Sequence, residues 1–111
     1  MKFKYKNKPV NVDGWRFRSG KERDHYLWLN SEVQARRVTS FEYEKKYPLE
    51  VNGKLVCNIV PDFTVYLPDG RTQIHEIKSP ITMTDVWRVK SKLFQILFPH
   101  MEYLVNPRKI I

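Results

Sequence analysis

Two acids and one amine stand out because of what surrounds them. Asp62 follows Val60-Pro61 within a long apolar run, and Glu76-Ile77-Lys78 comes at the end of the next run. On an extended strand, residues two apart share a face, so Glu76 and Lys78 should point the same way. Asp62 needs only the right register to join them. Carboxylate oxygens suit a hard divalent cation such as Mg²⁺, which takes one or two of them and keeps several waters. A cation so held lowers the pKa of a bound water and neutralises charge on a phosphate under attack. Lys78 adds a point charge that can orient the water or stabilise the transition state. It becomes a general base only if burial or the metal lowers its pKa. These parts suit metal-assisted phosphodiester hydrolysis. The plain alternative is an ion-pair ladder across two strands, worth little energetically.

The elements that must position these residues are legible. Leu67-Pro68-Asp69-Gly70 is a turn signal that folds one strand back beside the next. The earlier strand is expected over 54–67, apolar at every odd position from Leu55 to Leu67. Pro61 lacks an N–H, so the ladder must break there. The later strand is expected from Arg71 to Lys78. Upstream, a strand over 41–51 leads into Asn52-Gly53, a strong hairpin signal. Ser19 to Glu22 has the form of a capping box, and a helix is expected from there to about Arg37. Glu22, Tyr26, Leu29 and Val33 are spaced as one buried stripe, so Glu22 either caps its own helix or projects toward the acids. A second helix should follow Thr82 or Thr84, with Asp85 favoured in its first turn. Its core stripe is expected to be Val86, Val89, Leu93, Ile96 and Leu97, with Arg88, Lys92 and Gln95 on another face. Glu102 to Val105 reads as a last short strand.

The remaining features bear on partners. The chain has 111 residues, one ordinary domain. Its net charge of +8 points first to nucleic acid and second to an anionic surface. Lys2, Lys4, Lys6 and Lys8 alternate with Phe3 and Tyr5, and Arg16 and Arg18 alternate with Trp15 and Phe17 across an Asp13-Gly14 turn. This is either an edge hairpin guarded by lysines or a basic ribbon that contacts phosphates. No apolar run is long enough to span a bilayer and no secretory core follows the N-terminus, so a soluble, cytoplasmic protein is expected. Cys57 stands alone between Leu55 and Ile59 and should be a small buried hydrophobe. His25, His75 and His100 lack zinc-ligand spacing, and His75 should face away from Glu76 as a structural or substrate-adjacent residue. There is no Gly-rich phosphate loop and no serine nucleophile elbow.

Pro61-Asp62, thirteen residues, then Glu76-Ile77-Lys78 resembles the signature of the PD-(D/E)XK nuclease superfamily. The order of elements from Ser19 onward resembles its αβββαβ core. The likeness is closest to small phage-encoded nucleases, with Gly14-Trp15-Arg16-Phe17-Arg18-Ser19 to Glu22-Arg23 similar to their opening. The chain is also similar to the TnsA endonuclease domain and, more loosely, to phage endonuclease I type resolvases. The resemblance implies an α/β, restriction-endonuclease-like fold with a central mixed four-stranded sheet flanked by helices and preceded by a basic β-ribbon. It implies that Asp62 and Glu76 ligate Mg²⁺ or Mn²⁺ with the Ile77 carbonyl, that Lys78 is catalytic, and that Glu22 supports the metal. Gln95 is similar to a glutamine that some members place near the metal.

The expectation is therefore one nuclease domain over 1–111, with a ribbon at 1–18, a core at 19–106 and a tail at 107–111. It should be a Mg-dependent DNA endonuclease for phage-type DNA processing or junction resolution, in the host cytoplasm if phage-encoded. Lys4, Lys6, Arg16, Arg18, Arg88, Lys92 and Gln95 would contact nucleic acid. RNA stays open as a substrate, and a homodimer is the simplest way for so small a domain to cut two strands. The alternatives are a non-catalytic nucleic-acid-binding module or a partner-dependent subunit of a DNA-processing complex.

Overall fold

The computed structural model describes residues 10–111, so Lys4 and Lys6 lie outside the described residues. Strands β1 (Val10–Val12) and β2 (Trp15–Phe17) form a hairpin. Its turn is Asp13-Gly14, both at positive φ (52° and 80°), the left-handed pair that matches strand twist. Helix α1 runs over Gly20–Gln34, with the Ser19 hydroxyl accepting from Glu22 N at 3.2 Å. The helix ends three residues short of Arg37, where Arg36 turns left-handed at φ 64°. It buries Glu22, His25, Tyr26, Leu29 and Glu32.

The expected strand over 41–51 is two strands. β3 (Ser40–Tyr43) and β4 (Tyr47–Val51) are separated at Glu44, whose φ is +57°. The expected strand over 54–67 is likewise split, into β5 (Lys54–Ile59) and β6 (Phe63–Tyr66). The break falls on Val60-Pro61-Asp62, where proline cannot donate to a ladder. These two breaks let β4 and β5 leave together as a separate hairpin, turned at Asn52-Gly53. Leu55 and Val56 near its tip are therefore exposed, against the unbroken apolar face expected there. Cys57 is only half-buried against the core.

Strand β7 is Thr72–Glu76, helix α2 is Asp85–Leu97 and strand β8 is Glu102–Val105. One turn of 3₁₀ helix, Pro80–Thr82, precedes α2. The main sheet has the order β3-β6-β7-β8, antiparallel except for the parallel pair β7–β8. The parallel return needs a crossover, and α2 supplies it. The fold is thus mixed α/β, a four-stranded mixed sheet with two helices. Phe17, Tyr26, Leu29, Phe63 and Val65 form the core under α1. Tyr47, Leu49, Ile59, Ile74 and Phe94 form the core under α2 and the β4–β5 hairpin. No helix among the described residues is long and apolar enough to cross a membrane.

Helix α2 corrects the expected stripe. Val86, Val89 and Ile96 are exposed, while Ser91 and Phe94 are buried. Thr84 caps the helix, its hydroxyl accepting from Trp87 N at 3.1 Å, and so fixes its rotation. Trp87, Phe94 and Phe98 then turn inward, where large rings fill the space above the sheet. Ile74→Val, on the buried face of β7, should cost about 1 kcal/mol. Val89→Ala should stay within about 0.5 kcal/mol. Urea unfolding of both variants checks the corrected orientation.

Candidate active site

The acids meet where the Pro61 break faces the end of β7. Released from the ladder, Asp62 turns back, and its Oδ2 accepts from Ile77 N at 2.6 Å. Glu76 answers with Oε1, which accepts from Asp62 N at 3.2 Å. These reciprocal bonds lock the two acids across neighbouring strands. Glu76 Oε2 accepts from Tyr103 Oη at 2.6 Å and from Trp87 Nε1 at 3.0 Å. Glu22 comes from the first turn of α1. Its carboxylate is not spent on a reciprocal cap, but accepts from Tyr43 Oη at 2.8 Å.

Glu22, Asp62 and Glu76 are all buried, and none makes an ion pair with a described residue. Burial raises the Asp62 carboxyl from 3.8 to about 8, helped by the nearby charges of Glu76 and Glu22, in that order. The Ile77 N–H and Lys78 oppose the rise. Burial likewise pushes up Tyr43 and Tyr103, with Glu22 adding to the rise of Tyr43 and Glu76 to that of Tyr103.

Lys78 lies two residues past the end of β7, so strand alternation does not place it. Asn106 does. Its Oδ1 accepts from Lys78 N at 2.8 Å, its Nδ2 donates to Lys78 O at 2.9 Å, and its own N–H donates to Glu76 O at 2.7 Å. The Lys78 ammonium sits over the Trp87 ring, 4.9 Å from its centroid. Trp87 therefore holds Glu76 by its N–H and Lys78 by its face. Sequence reasoning missed Trp87, Tyr103, Tyr43 and Asn106. The available signals were an indole and two phenols that need partners when half-buried, and an asparagine placed to adopt positive φ after a strand.

A groove of about 710 Å³ opens beside these residues, walled by Glu22, Ile77, Lys78 and the Pro80–Thr82 turn. The donor set fits a hard divalent cation. It is all oxygen, it forms no ion pair with a described residue, and a divalent ion would offset the burial and the repulsion that together raise the Asp62 carboxyl. Among the described residues no three acids, histidines or cysteines converge as a ready-made cluster. Any divalent ion held here would take Asp62 and Glu76 as its protein ligands, with water or substrate oxygens completing the shell.

The expected nucleic-acid contacts divide. Arg16 is exposed. Arg18 is paired with Glu44, which holds the guanidinium more firmly charged, and it also feels Glu22 and Asp62. Its guanidinium is held by Glu44 rather than left free on a ribbon. Arg88 is exposed and paired with Asp85 at 3.4 Å, and Lys92 is exposed. Gln95 is not at the acids. Its Nε2 donates to Ser91 O on its own helix at 3.1 Å. His75 faces away from Glu76, fully buried, and meets His25 at 2.9 Å. The expected basic tail is docked, for Ile111 O accepts from Arg71 and Gln73 and Ile110 packs on the core.

A protein-family model described as "Protein of unknown function (DUF1064)" matches residues 2–109, and the chain belongs to that family. No curated protein and no solved structure matches the chain.

Proposed function

We propose that this member of a family without an assigned function is a divalent-metal-dependent nuclease of the PD-(D/E)XK type, with DNA as substrate. The observation that carries this is the reciprocal lock between Asp62 and Glu76, in which two buried acids are held together at the break of one strand and the end of the next. Nothing in packing rewards such a pair, since each acid raises the cost of charging the other. The strand order β3-β6-β7-β8 and the α2 crossover suit a restriction-endonuclease-like core, with β4–β5 as an added hairpin.

Asp62 and Glu76 would hold Mg²⁺ or Mn²⁺ with the Ile77 carbonyl. The bound ion would supply Lewis-acid stabilisation of the phosphate and a more acidic water. Lys78, fixed on Trp87, places positive charge beside the attacked phosphate. Glu22, fixed by Tyr43, adds negative field next to Asp62 and can hold a ligand water. Arg16, Arg88 and Lys92 are exposed and would meet flanking phosphates, which makes binding fall steeply with salt.

The test is purified chain incubated with linear, nicked and branched DNA, and with RNA, under Mg²⁺, Mn²⁺ or EDTA. Cleavage should require the metal. Cutting that persists in EDTA would sink the proposal. Salt-sensitive binding without cleavage under any divalent ion would favour a binding module instead.

A further inference from the structure

We propose that a second groove of about 430 Å³, adjoining the first and walled by Lys21, Asp24, His25, Trp28 and Arg108, binds one unpaired nucleotide of the DNA strand being processed. The base lies against Trp28 and donates a hydrogen bond to His25 Nδ1, while Lys21 and Arg108 take its phosphate. The proposal rests on the nuclease reading for its substrate class.

The hydrogen-bond acceptor follows from a chain of fixed protons. Gln73 Nε2 lies 2.7 Å from Glu102 Oε1 and 3.1 Å from Ile111 O, both acceptors, so its amide nitrogen must point there. Gln73 Oε1 then faces His75 Nε2 at 2.9 Å, and that nitrogen must carry the proton. Both imidazoles are buried, and their only hydrogen-bond partners among the described residues are each other and the Gln73 amide, so neither ring has a counter-charge and each carries one proton. His75 Nδ1 therefore offers a lone pair, and His25 Nε2, 2.9 Å away, must donate to it. His25 Nδ1 is left as a bare acceptor on a ring only 8% exposed. It has no partner among the described residues, and His25 lines the groove.

The rest of the wall suits a nucleotide. Trp28 is stacked on His75 on its inner side (centroids 6.3 Å, 22°) and lines the groove as well, a rigid platform for a base. Lys21 and Arg108 are exposed and form no ion pair with a described residue, whereas the Asp24 carboxylate is occupied by Arg23 at 2.8 Å. Ile77 lines both grooves, so the bound nucleotide would adjoin the phosphate placed at the acids. Every base has an N–H edge to offer, so the site should tolerate any base sequence while requiring that the base be unstacked.

Fluorescence anisotropy of the full chain in EDTA tests this without cleavage. The probes are a fully paired duplex, the same duplex with one bulged nucleotide, and that bulge made abasic. The bulged duplex should bind about tenfold more tightly than the paired one, and the abasic bulge should lose that gain. Trp28→Leu, and separately Lys21→Ala with Arg108→Ala, should bring the ratio to about one, while Val89→Ala keeps it. Equal affinity for bulged and paired duplexes would overturn the inference, even if Mg²⁺-dependent cleavage is found. A bulge preference that Trp28 controls would uphold it, even if no divalent ion supports cleavage and the nuclease reading falls.

Discussion

Asp62→Asn is expected to lower Mg²⁺-dependent cleavage about 10³-fold and, in the same protein, to raise the melting temperature measured in EDTA at pH 8. The two effects share one cause. The Asp62 carboxyl rises from 3.8 to about 8 in the fold, so the folded state binds this proton more tightly than the unfolded chain does. The stabilisation from that proton is complete below about pH 4 and is lost as pH climbs through about 8. Wild-type protein without metal should therefore weaken on the alkaline side. Asparagine stays neutral and keeps an acceptor oxygen for Ile77 N, so it escapes the penalty, a gain of several kcal/mol at pH 8. It also gives up the charge that would attract a cation. Mg²⁺ should consequently raise the wild-type melting temperature more at pH 8.5 than at pH 5.5, and should hardly move the variant. Thermal scans across pH, with and without Mg²⁺, measure all of this. A variant less stable than wild type at pH 8, or equally responsive to Mg²⁺, would remove Asp62 from the metal-binding role.

This coupling shows why the meeting of Asp62 with Glu76 was more legible than the fold around it. Asp62, Glu76 and Lys78 were recognisable because a charged residue in an apolar run is costly, and the cost needs a reason. Turn residues were legible for a local reason too. Asp13-Gly14 and Asn52-Gly53 adopt positive φ, and Gly70 closes the β6–β7 hairpin at φ 93°. What could not be read locally was which pieces would part company. Asn52-Gly53 announces that the outer halves of 41–51 and 54–67 pair with each other, but the continuous patterns give no sign that this hairpin leaves the main sheet. Helix α2 failed for a different reason. Leu93 and Leu97 of the expected stripe do pack on the core, but Val86, Val89 and Ile96 yield to Trp87, Ser91, Phe94 and Phe98, which keep helical spacing as well. Hydropathy favours the first set, and ring volume over the sheet favours the second. The inward choice brings Trp87 to Glu76 and Lys78, so the error about α2 was also the omission of Trp87 from the site.

That placement makes Lys78→Ala the second decisive variant. Its single-turnover cleavage at saturating Mg²⁺ should fall about 10²- to 10³-fold, the usual loss for one aimed electrostatic group. The Mg²⁺-linked rise in melting temperature should persist, because Asp62 and Glu76 remain locked to each other. Lys78→Arg should restore little. A guanidinium can lie on the Trp87 face, but it spreads its charge across a fork where the site holds a compact ammonium. Trp87→Phe separates the two services of the indole. It keeps a ring under Lys78 and removes only the N–H given to Glu76, which retains the Tyr103 hydroxyl. Its loss should be about tenfold, in the range of an outer-shell partner of a ligand. If Trp87→Phe proves as damaging as Lys78→Ala, the indole N–H rather than the amine is the group the reaction depends on. If Lys78→Ala cuts within about threefold of wild type, the lysine only balances charge over a buried acid pair, and the catalytic assignment of Lys78 fails while that of Asp62 can stand.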